Sequence, residues 1–288
     1  MSAADDPVTD ASRQASPAAA AVTVSGLHLT IEGKTILGGL DFALPAGKVT
    51  GLAGESGSGK TMTGMTLIGL QPDNAVVRGS VQFDGRELVG LSTRAWSGLR
   101  GKRIAMVFQD PTASLHPMLS IGRQLTDHQR HHLGLSKRDA LARAESLLDR
   151  VGVPDAAGAL RKYPHEFSGG QLQRIAIASA IACDPEVLIA DEPTTALDVT
   201  VQAGILGLLR ELCDGLGLTV LLITHDFGVL SSLADEIAVM RGGAIVEHGA
   251  RYDVIRAPKH PYTRELIESL PMHELAAATG ADAPEGAE

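Results

Sequence analysis

Eight consecutive residues, 54–61, have the types and spacing of a phosphate-binding loop. They match the pattern G-x-x-x-x-G-K-[ST] in full and are Gly54, Glu55, Ser56, Gly57, Ser58, Gly59, Lys60 and Thr61. The glycines let the backbone wrap closely around an anion, Lys60 adds a positive charge, and the Thr61 hydroxyl can coordinate Mg²⁺. A chance glycine-rich turn does not explain the complete pattern. The loop therefore predicts binding of ATP or a close relative together with Mg²⁺.

A pair of carboxylates, Asp191 and Glu192, follows more than a hundred residues later. They end the apolar run 187–190, which has the length of a short buried strand. Ligands of α/β proteins bind at the carboxyl ends of strands, so we expect Asp191 to reach Mg²⁺ through water and Glu192 to polarise the attacking water. Two adjacent acids after a strand are often no more than a solvated turn. The phosphate-binding loop upstream favours the catalytic interpretation.

A second anion-binding device lies between these motifs. Its polar residues, which begin a helix predicted over 170–182, are Ser168, Gly169, Gly170 and Gln171. A single nucleotide does not need two phosphate cradles. A head-to-tail dimer, in which each chain lends its second cradle to the nucleotide of the other, explains why both are present.

The strand–loop–helix setting that the phosphate motif requires is predicted around it. Residues 49–53 form a short buried strand before the loop, and residues 61–70 have the composition of a helix after it. Strands over 103–108, 187–190, 218–223 and 236–240 alternate with helices over 170–182, 198–214 and 226–234. This alternation predicts an α/β fold with a mostly parallel sheet covered on both faces.

Two parts of the chain depart from this alternation. Residues 22–31 and 36–44 are typical of two strands of an antiparallel piece. Residues 119–163 are predicted to be mostly helical, with Ser136 and Asp139 as a helix-capping pair.

Composition limits the class of protein. The 288 residues are enough for one large α/β domain, and 44% of them are hydrophobic. The formal net charge of −9 argues against a nucleic-acid partner, because polyanion binding shows as a basic excess. Two cysteines are too few for a disulfide framework, which suits a reducing cytoplasm. No apolar stretch approaches the ~18 residues that span a bilayer, and the first residues lack the plan of a secretory signal.

Together the motifs resemble those of the ATP-binding cassette (ABC) transporter ATPases over about residues 22–270. The segment 167–171 is similar to the family signature, usually Leu-Ser-Gly-Gly-Gln. The resemblance implies that Ser168 and Gly170 touch the γ-phosphate held by a partner subunit. It also implies the fold of a P-loop NTPase of the ABC type, with an antiparallel β subdomain and a helical signature subdomain.

Three more motifs carry the same resemblance. Gln109 matches the Q-loop, which senses Mg²⁺ and contacts the transmembrane subunits. Ala196-Leu197-Asp198 matches the D-loop at the dimer seam, so Asp198 is expected beside the nucleotide. His225 matches the switch histidine that contacts the γ-phosphate, although a lone histidine at a strand end is more often structural.

Composition and the resemblance give the domain boundaries. Residues 1–21 and 275–288 are low in large apolar residues, so we expect two disordered tails. The resemblance implies an ATPase domain over 22–257, with a helical subdomain over about 110–170 inside it, and a short C-terminal extension of the peptide-importer type over 258–274.

The exact residues of three segments, 108–117, 190–200 and 257–263, resemble those of the oligopeptide, dipeptide and nickel importer branch of the family. The resemblance implies a peripheral ATPase at the cytoplasmic face of the inner membrane that drives peptide uptake. Its partners would be transmembrane permeases, a second ATPase of the same or a different sequence and, indirectly, an extracytoplasmic binding protein. Import of nickel or another small solute is the alternative. An exporter ATPase, a soluble ABC protein acting on DNA or ribosomes, and a non-hydrolysing partner fit the motifs less well.

Two departures from the family pattern have consequences. Many members place an aromatic residue on the early strand to stack on adenine, and the matching position here is about Ile31, so base stacking is expected to be weaker. Some members of the peptide branch bind an iron–sulfur cluster through C-terminal cysteines. No cysteine follows Cys213 in this chain, so such a cluster is not expected.

Overall fold

The computed structural model describes residues 20–195 and 197–269. The predicted tail 275–288 lies outside these ranges, as does the tail 1–21 except for residues 20 and 21, which belong to the first strand. The strands are β1 (Ala20–Ile31), β2 (Lys34–Pro45), β3 (Val49–Ala53), β4 (Ala75–Phe83), β5 (Arg86–Glu87), β6 (Ile104–Val107), β7 (Val187–Asp191), β8 (Thr219–Ile223), β9 (Glu236–Arg241) and β10 (Ala244–Ala250). The helices are α1 (Lys60–Leu67), α2 (Thr93–Ser97), α3 (Pro111–Ser114), α4 (Ile121–Leu133), α5 (Lys137–Arg150), α6 (Ala156–Ala159), α7 (Gly169–Ala180), α8 (Val199–Leu216), α9 (Phe227–Leu233), α10 (Arg251–Arg256) and α11 (Pro261–Glu268), with a 3₁₀ helix at Pro164–Glu166.

The larger sheet has the strand order β10-β9-β3-β8-β7-β6. β3, β6, β7, β8 and β9 run parallel, and β10 pairs antiparallel with β9 at the edge. Every residue of β3, β7 and β8 is buried, which explains why these strands are continuous apolar runs in the sequence. The predicted α/β fold with a mostly parallel sheet is confirmed.

The register of this sheet brings four strand ends to one edge. Leu52 of β3 pairs with Ile223 of β8, and Asp191 of β7 pairs with the same Ile223. Val107 of β6 pairs with Ala190 of β7. The segments that follow these strands therefore emerge side by side, and they carry Gly54, Gln109, Glu192 and His225.

The smaller sheet is antiparallel, with the order β2-β1-β4-β5, so the predicted antiparallel piece is confirmed. β1 and β2 are joined by Glu32 and Gly33, whose φ values of 50° and 79° are typical of a tight type I′ hairpin. One hydrophobic core joins the two sheets, and its buried members include Leu37, Phe83 and Leu221. A second hydrophobic core, whose buried members include Leu188, Leu222 and Val239, covers the opposite face of the parallel sheet.

The helices α3, α4, α5 and α6 lie between β6 and α7, in the region predicted to be helical. The Ser136 hydroxyl accepts from the Asp139 backbone N–H at 3.2 Å and donates to the Asp139 carboxylate at 2.7 Å, so the predicted capping pair is confirmed. Leu125, Leu148 and Ile175 bury their side chains in the second core. This packing fixes the helical block against α7, whose first residues carry the second cradle.

The helix after the phosphate-binding loop is shorter than predicted. It was expected over 61–70 but ends at Leu67, because Gly69 adopts a φ of 65° beneath the indole of Trp96. A Cβ at Gly69 would lie 2.3 Å from that ring, so the chain must turn there without a side chain.

Among the described residues, no helix combines the length and apolar character needed to span a membrane.

Candidate active site

The phosphate-binding loop curls through positive φ values into the start of α1. Gly54 and Gly59 have φ values of 147° and 105°, and a Cβ at Gly54 would lie 2.3 Å from the backbone oxygen of Met240. Lys60 is buried, and its Nζ donates to the carbonyl oxygens of Gly54 and Glu55 at 2.7 and 2.9 Å. The lysine thus closes the loop into a ring at the N-terminus of a helix, where anions are favoured.

Among the residues that the structure describes, none forms a close ion pair with Lys60. Burial lowers the pKa of its ammonium, while Glu192, Asp191 and Glu55 act in the opposite direction from a distance. A buried ammonium is costly unless an anion accompanies it. A triphosphate in the loop would supply that anion.

Thr61 and Asp191 come together although 130 residues separate them. The Thr61 hydroxyl donates to Oδ1 of Asp191 at 3.2 Å. Asp191 is buried at the end of β7, and this burial raises its pKa despite the hydrogen bond from Thr61. A hydroxyl and a carboxylate oxygen are hard ligands, which suit Mg²⁺ when phosphate oxygens and water complete its shell.

The Glu192 carboxylate contacts the other two predicted catalytic residues, Gln109 and His225. Its Oε1 lies 3.0 Å from Nδ1 of His225, and its Oε2 accepts from Nε2 of Gln109 at 3.0 Å and from the Thr195 hydroxyl at 2.9 Å. Burial alone would raise the pKa of Glu192, but the hydrogen bonds from His225 and Thr195 outweigh it and lower that pKa. Glu192 is therefore held as an ionised carboxylate in a fixed orientation.

The backbone at Glu192 is strained. Its φ of 44° lies in the left-handed region that residues other than glycine rarely adopt. The Glu192 N–H donates to the carbonyl oxygen of Ile223 at 2.8 Å, which ties the strained residue to the end of β8. Such strain clusters at functional sites, where the surrounding structure holds it in place.

A single cavity of about 770 Å³ connects the loop with this carboxylate cluster, a volume suited to a nucleotide. It is lined by Ile36, Gly54, Glu55, Ser56, Gly57, Gly59, Lys60, Thr61, Met62, Gln109, Glu192, Thr195, His225, Leu266 and Ser269. Ser58 is buried in the loop beneath it. The lining brings together the loop, Gln109, Glu192 and His225 as predicted from the sequence.

Five lining residues were not predicted, and they are Ile36, Met62, Thr195, Leu266 and Ser269. Thr195 stands three residues after Glu192, and a hydroxyl at that spacing on a tight turn could have indicated a contact with the Glu192 carboxylate. Ile36 lines the cavity, whereas Ile31, the expected base position, does not. Leu266 and Ser269 belong to the C-terminal helix region, and nothing in the sequence places them near the loop.

The second cradle lies elsewhere on the molecule. Ser168 accepts from the Gln171 N–H at 3.4 Å, and the Gln171 side chain accepts from the Ser168 N–H at 3.0 Å, a capping box that begins α7. Asp198 caps α8 by accepting from the Val201 N–H at 2.9 Å. Ala196 lies outside the described residues. The members of this set that do not line the cavity of their own chain are Ser168, Gly169, Gly170, Gln171 and Asp198.

Comparison with known protein families gives a match to a model described as ABC transporter, over residues 37–195. These residues include the phosphate-binding loop, the second cradle and both carboxylates.

Curated proteins with similar sequences include transport ATP-binding proteins. The dipeptide transport ATP-binding protein DppD of Lactococcus lactis subsp. cremoris is 46% identical over 81% of this chain and 67% of that protein. The oligopeptide transport ATP-binding protein OppD of Salmonella typhimurium is 45% identical over 82% of this chain and 71% of that protein. DppD of Bacillus subtilis is 44% identical over 88% of this chain and 78% of that protein.

Solved structures with the same fold include two ATP-binding cassettes. CbiO1 from Clostridium perfringens, part of the ABC transporter complex cbiONQ, has a TM-score of 0.72 and 28% identity over 88% of this chain and 97% of that chain. The dimeric post-hydrolysis state of the cassette MJ0796, bound to ADP and Pi, has a TM-score of 0.70 and 26% identity over 80% of this chain and 98% of that chain.

Proposed function

The chain belongs to the ABC transporter family and is an ATPase of the ABC type, and we propose that it powers an importer of dipeptides or oligopeptides. The observation that carries the ATPase function is the Glu192 carboxylate, which His225 and Gln109 hold beside the phosphate-binding loop. Relatives named as dipeptide and oligopeptide transport proteins support the substrate class. In this proposal the subunit acts at the cytoplasmic face of the inner membrane, and an extracytoplasmic protein delivers the peptide.

Growth on a defined dipeptide tests this function. An amino-acid auxotroph from which the gene has been removed should not grow when a dipeptide is its source of the required amino acid, and it should grow on the free amino acid. The parent gene should restore growth on the dipeptide. Full growth without the gene, or a defect that nickel alone repairs, would contradict peptide import.

In this proposal each side chain of the site has a role in hydrolysis. The Glu192 carboxylate accepts a proton as the water oxygen attacks the γ-phosphorus, and the bond to the β-phosphate oxygen breaks to release ADP. Lys60 must turn from the carbonyl oxygens of its own loop to the phosphate oxygens, where it stabilises developing negative charge. His225 contacts Glu192 through Nδ1. Its Nε2 would donate to the γ-phosphate in the imidazolium form, in which both ring nitrogens carry hydrogen.

The oxygen donors fit Mg²⁺ bound with ATP. Thr61 would bind it through the hydroxyl, Asp191 through water and Gln109 through its amide oxygen once released from Glu192. The ion would neutralise charge on the β- and γ-phosphates.

The second cradle acts, in our proposal, on the nucleotide of a partner ATPase. Ser168, Gly169 and Asp198 are exposed, and Val199 next to Asp198 is 83% exposed. A head-to-tail dimer would cover this surface and complete both nucleotide sites. The dimeric form of a solved relative supports the arrangement.

Complementation between two inactive variants tests the shared site. A Lys60→Ala chain lacks its own phosphate contact, and a Gly169→Asp chain carries a charge that repels the γ-phosphate of its partner. Their mixed dimer contains one intact composite site, so we expect ATP hydrolysis well above that of either variant alone. Because random pairing in an equal mixture makes about half of the dimers mixed, the expected ceiling is about a quarter of the parent rate. Gly169 is suited to this test because a Cβ there meets nothing closer than 3.9 Å, whereas a Cβ at Gly170 would lie 2.6 Å from Val201.

Phosphate release from the mixture gives the outcome. If the working dimer pairs this chain with a different ATPase, one variant is placed in each of the two chains. A mixture no more active than its components would contradict the shared site.

We propose that the helical block, about 110–170, docks onto the permeases. An apolar cavity of about 220 Å³ opens beside Gln109, between this block and the end of α1, and its lining includes Leu70, Phe108, Leu115 and His128. Leu70 is 39% exposed although it is apolar. A short helical segment of a membrane permease would cover this surface, and its position next to Gln109 would connect docking with the nucleotide site.

Replacing Leu70 by glutamate tests the docking surface. Because Leu70 already faces solvent, Leu70→Glu should leave folding and ATP hydrolysis by the purified chain within about 2-fold of the parent. Dipeptide uptake should fall at least about 10-fold, since a charge would be buried against the permease. The matched control is Leu216→Glu on α8, where the side chain is 40% exposed and does not line the cavity. Equal uptake by both variants would argue against docking at this surface.

A further inference from the structure

The C-terminal helix α11 lies against the phosphate-binding loop. Tyr262 is buried, with 2% of its surface exposed, and its hydroxyl accepts from the Glu55 backbone N–H at 3.2 Å. The Arg241 guanidinium lies 4.5 Å from the centre of the Tyr262 ring. On the same helix and just after it, Leu266 and Ser269 line the nucleotide cavity. The extension that follows the ATPase domain is therefore part of the wall of the site.

Two further contacts fix the approach of α11. The Glu247 carboxylate on β10 accepts from the backbone N–H groups of Lys259 and His260 at 2.8 and 3.0 Å. These bonds attach the residues before the helix to the edge strand of the parallel sheet. The His260 ring then caps α11 by accepting from the Tyr262 N–H at 3.2 Å. The helix is held by polar contacts at both the sheet edge and the loop.

The strand order gives the cavity a direction. Gln109, Glu192 and His225 follow β6, β7 and β8, on one side of the loop that follows β3. β9 and β10, which carry the residues that contact α11, lie on the other side of β3. A triphosphate that points its γ-phosphate toward Glu192 must therefore direct its nucleoside toward α11.

The lining at that end suits a nucleoside base. Ile36 from β2, Met62 from α1 and Leu266 from α11 present aliphatic side chains, and Ser269 adds a hydroxyl. Among the described residues that line the cavity there is no Phe, Tyr or Trp. Aliphatic contact with a flat base is favourable in proportion to the apolar area covered, and it discriminates little between bases.

We infer that α11 forms the nucleoside subsite of the ATP site, with Leu266 packing on the base and Tyr262 holding the phosphate-binding loop in shape. This inference rests on the proposed ATPase function. Leu266 is a binding residue that touches the nucleoside. Tyr262 is a positioning residue, because it acts through the backbone of Glu55 and not on the nucleotide. The two roles predict different responses to ligands with and without a base.

Binding of ATP and of inorganic tripolyphosphate to the purified chain separates these roles. Leu266→Ala should raise the Kd of ATP by about 5- to 20-fold and leave the Kd of tripolyphosphate unchanged, because only ATP carries a base. Leu266→Phe should lower the Kd of ATP, since an aromatic ring covers more of the base. Tyr262→Phe should raise both Kd values by about 5- to 30-fold, because the Glu55 N–H loses its acceptor.

Matched controls are available. Leu216→Ala removes a half-exposed leucine from α8, and Tyr252→Phe removes a hydroxyl from an exposed tyrosine on α10, both away from the cavity. Neither should change binding of either ligand. Unchanged ATP affinity in both Leu266 variants, or equal losses for ATP and tripolyphosphate in Leu266→Ala, would overturn the subsite. Unchanged binding in Tyr262→Phe would overturn the positioning role. Failure of the parent chain to bind ATP would instead contradict the proposed function.

Discussion

Replacing Glu192 by glutamine is expected to slow ATP hydrolysis by about 10²–10⁴-fold, roughly 3–5 kcal/mol of barrier, while ATP affinity stays close to that of the parent. Glutamine keeps the shape of the side chain and can still hydrogen-bond to His225, Thr195 and Gln109, but it cannot take a proton from water. Binding depends instead on the phosphate-binding loop. The variant should therefore accumulate as an ATP-loaded dimer.

Phosphate release and sedimentation in the presence of ATP measure these two effects. Glu145→Gln, at an exposed position on α5, is the matched control and should hydrolyse ATP at the parent rate. Parent-like turnover by Glu192→Gln would remove Glu192 from the role of general base.

Replacing Lys60 by alanine is expected to weaken ATP binding by at least about 100-fold, roughly 3 kcal/mol. The change removes the buried cation that faces the phosphates, and it also leaves the carbonyl oxygens of Gly54 and Glu55 without their donor. Loss of the charge and loss of the closed loop act in the same direction. Direct titration with ATP measures the effect.

The control for this variant is Lys48→Ala. Lys48 is exposed, stands just before β3 and does not line the cavity. Its loss should leave ATP affinity unchanged. If Lys60→Ala bound ATP as tightly as the parent, residues 54–61 would not be the phosphate site.

The catalytic set could be predicted from the sequence because each member follows a strand whose apolar run is unmistakable. Gly54, Glu192 and His225 come directly after or close to the ends of β3, β7 and β8, and parallel pairing brings those ends together. Side-chain chemistry then suggested the roles of the loop and of Glu192, and the resemblance to ABC ATPases implied the role of His225. The strained φ of Glu192 could not be predicted, since it depends on the bond from its N–H to Ile223 in the neighbouring strand.

The strands that the sequence pattern does not predict are those in which buried and exposed residues follow no regular alternation. In β4, Val76 and Arg78 are exposed, and Gly79 interrupts the strand with a φ of 93°. The alternation of apolar and polar residues along this strand is therefore weak. β10 is a half-exposed edge strand with few strongly apolar residues. Both are stabilised by strand pairing more than by a continuous buried face.

The part played by α11 was beyond sequence reasoning for a different reason. The start of the helix was predictable from His260 and Pro261, which occupy the cap and the first position. Its packing against the loop is a tertiary contact between Tyr262 and Glu55, 207 residues apart. Ile36 on β2 lines the cavity, whereas Ile31 at the end of β1 does not. Only the folded structure shows which of these side chains faces the cavity.

The most direct measurement is the rate of phosphate release at saturating ATP over a range of Mg²⁺ concentrations, for the parent, Asp191→Asn and Glu192→Gln. Asp191 lies beside the Thr61 hydroxyl, so Asp191→Asn should move the Mg²⁺ dependence to higher concentrations. Glu192→Gln should lower the maximal rate by about 10²–10⁴-fold without moving the Mg²⁺ midpoint. A parent-like maximal rate in Glu192→Gln, together with an unchanged Mg²⁺ midpoint in Asp191→Asn, would contradict the division of metal binding and proton transfer between the two carboxylates.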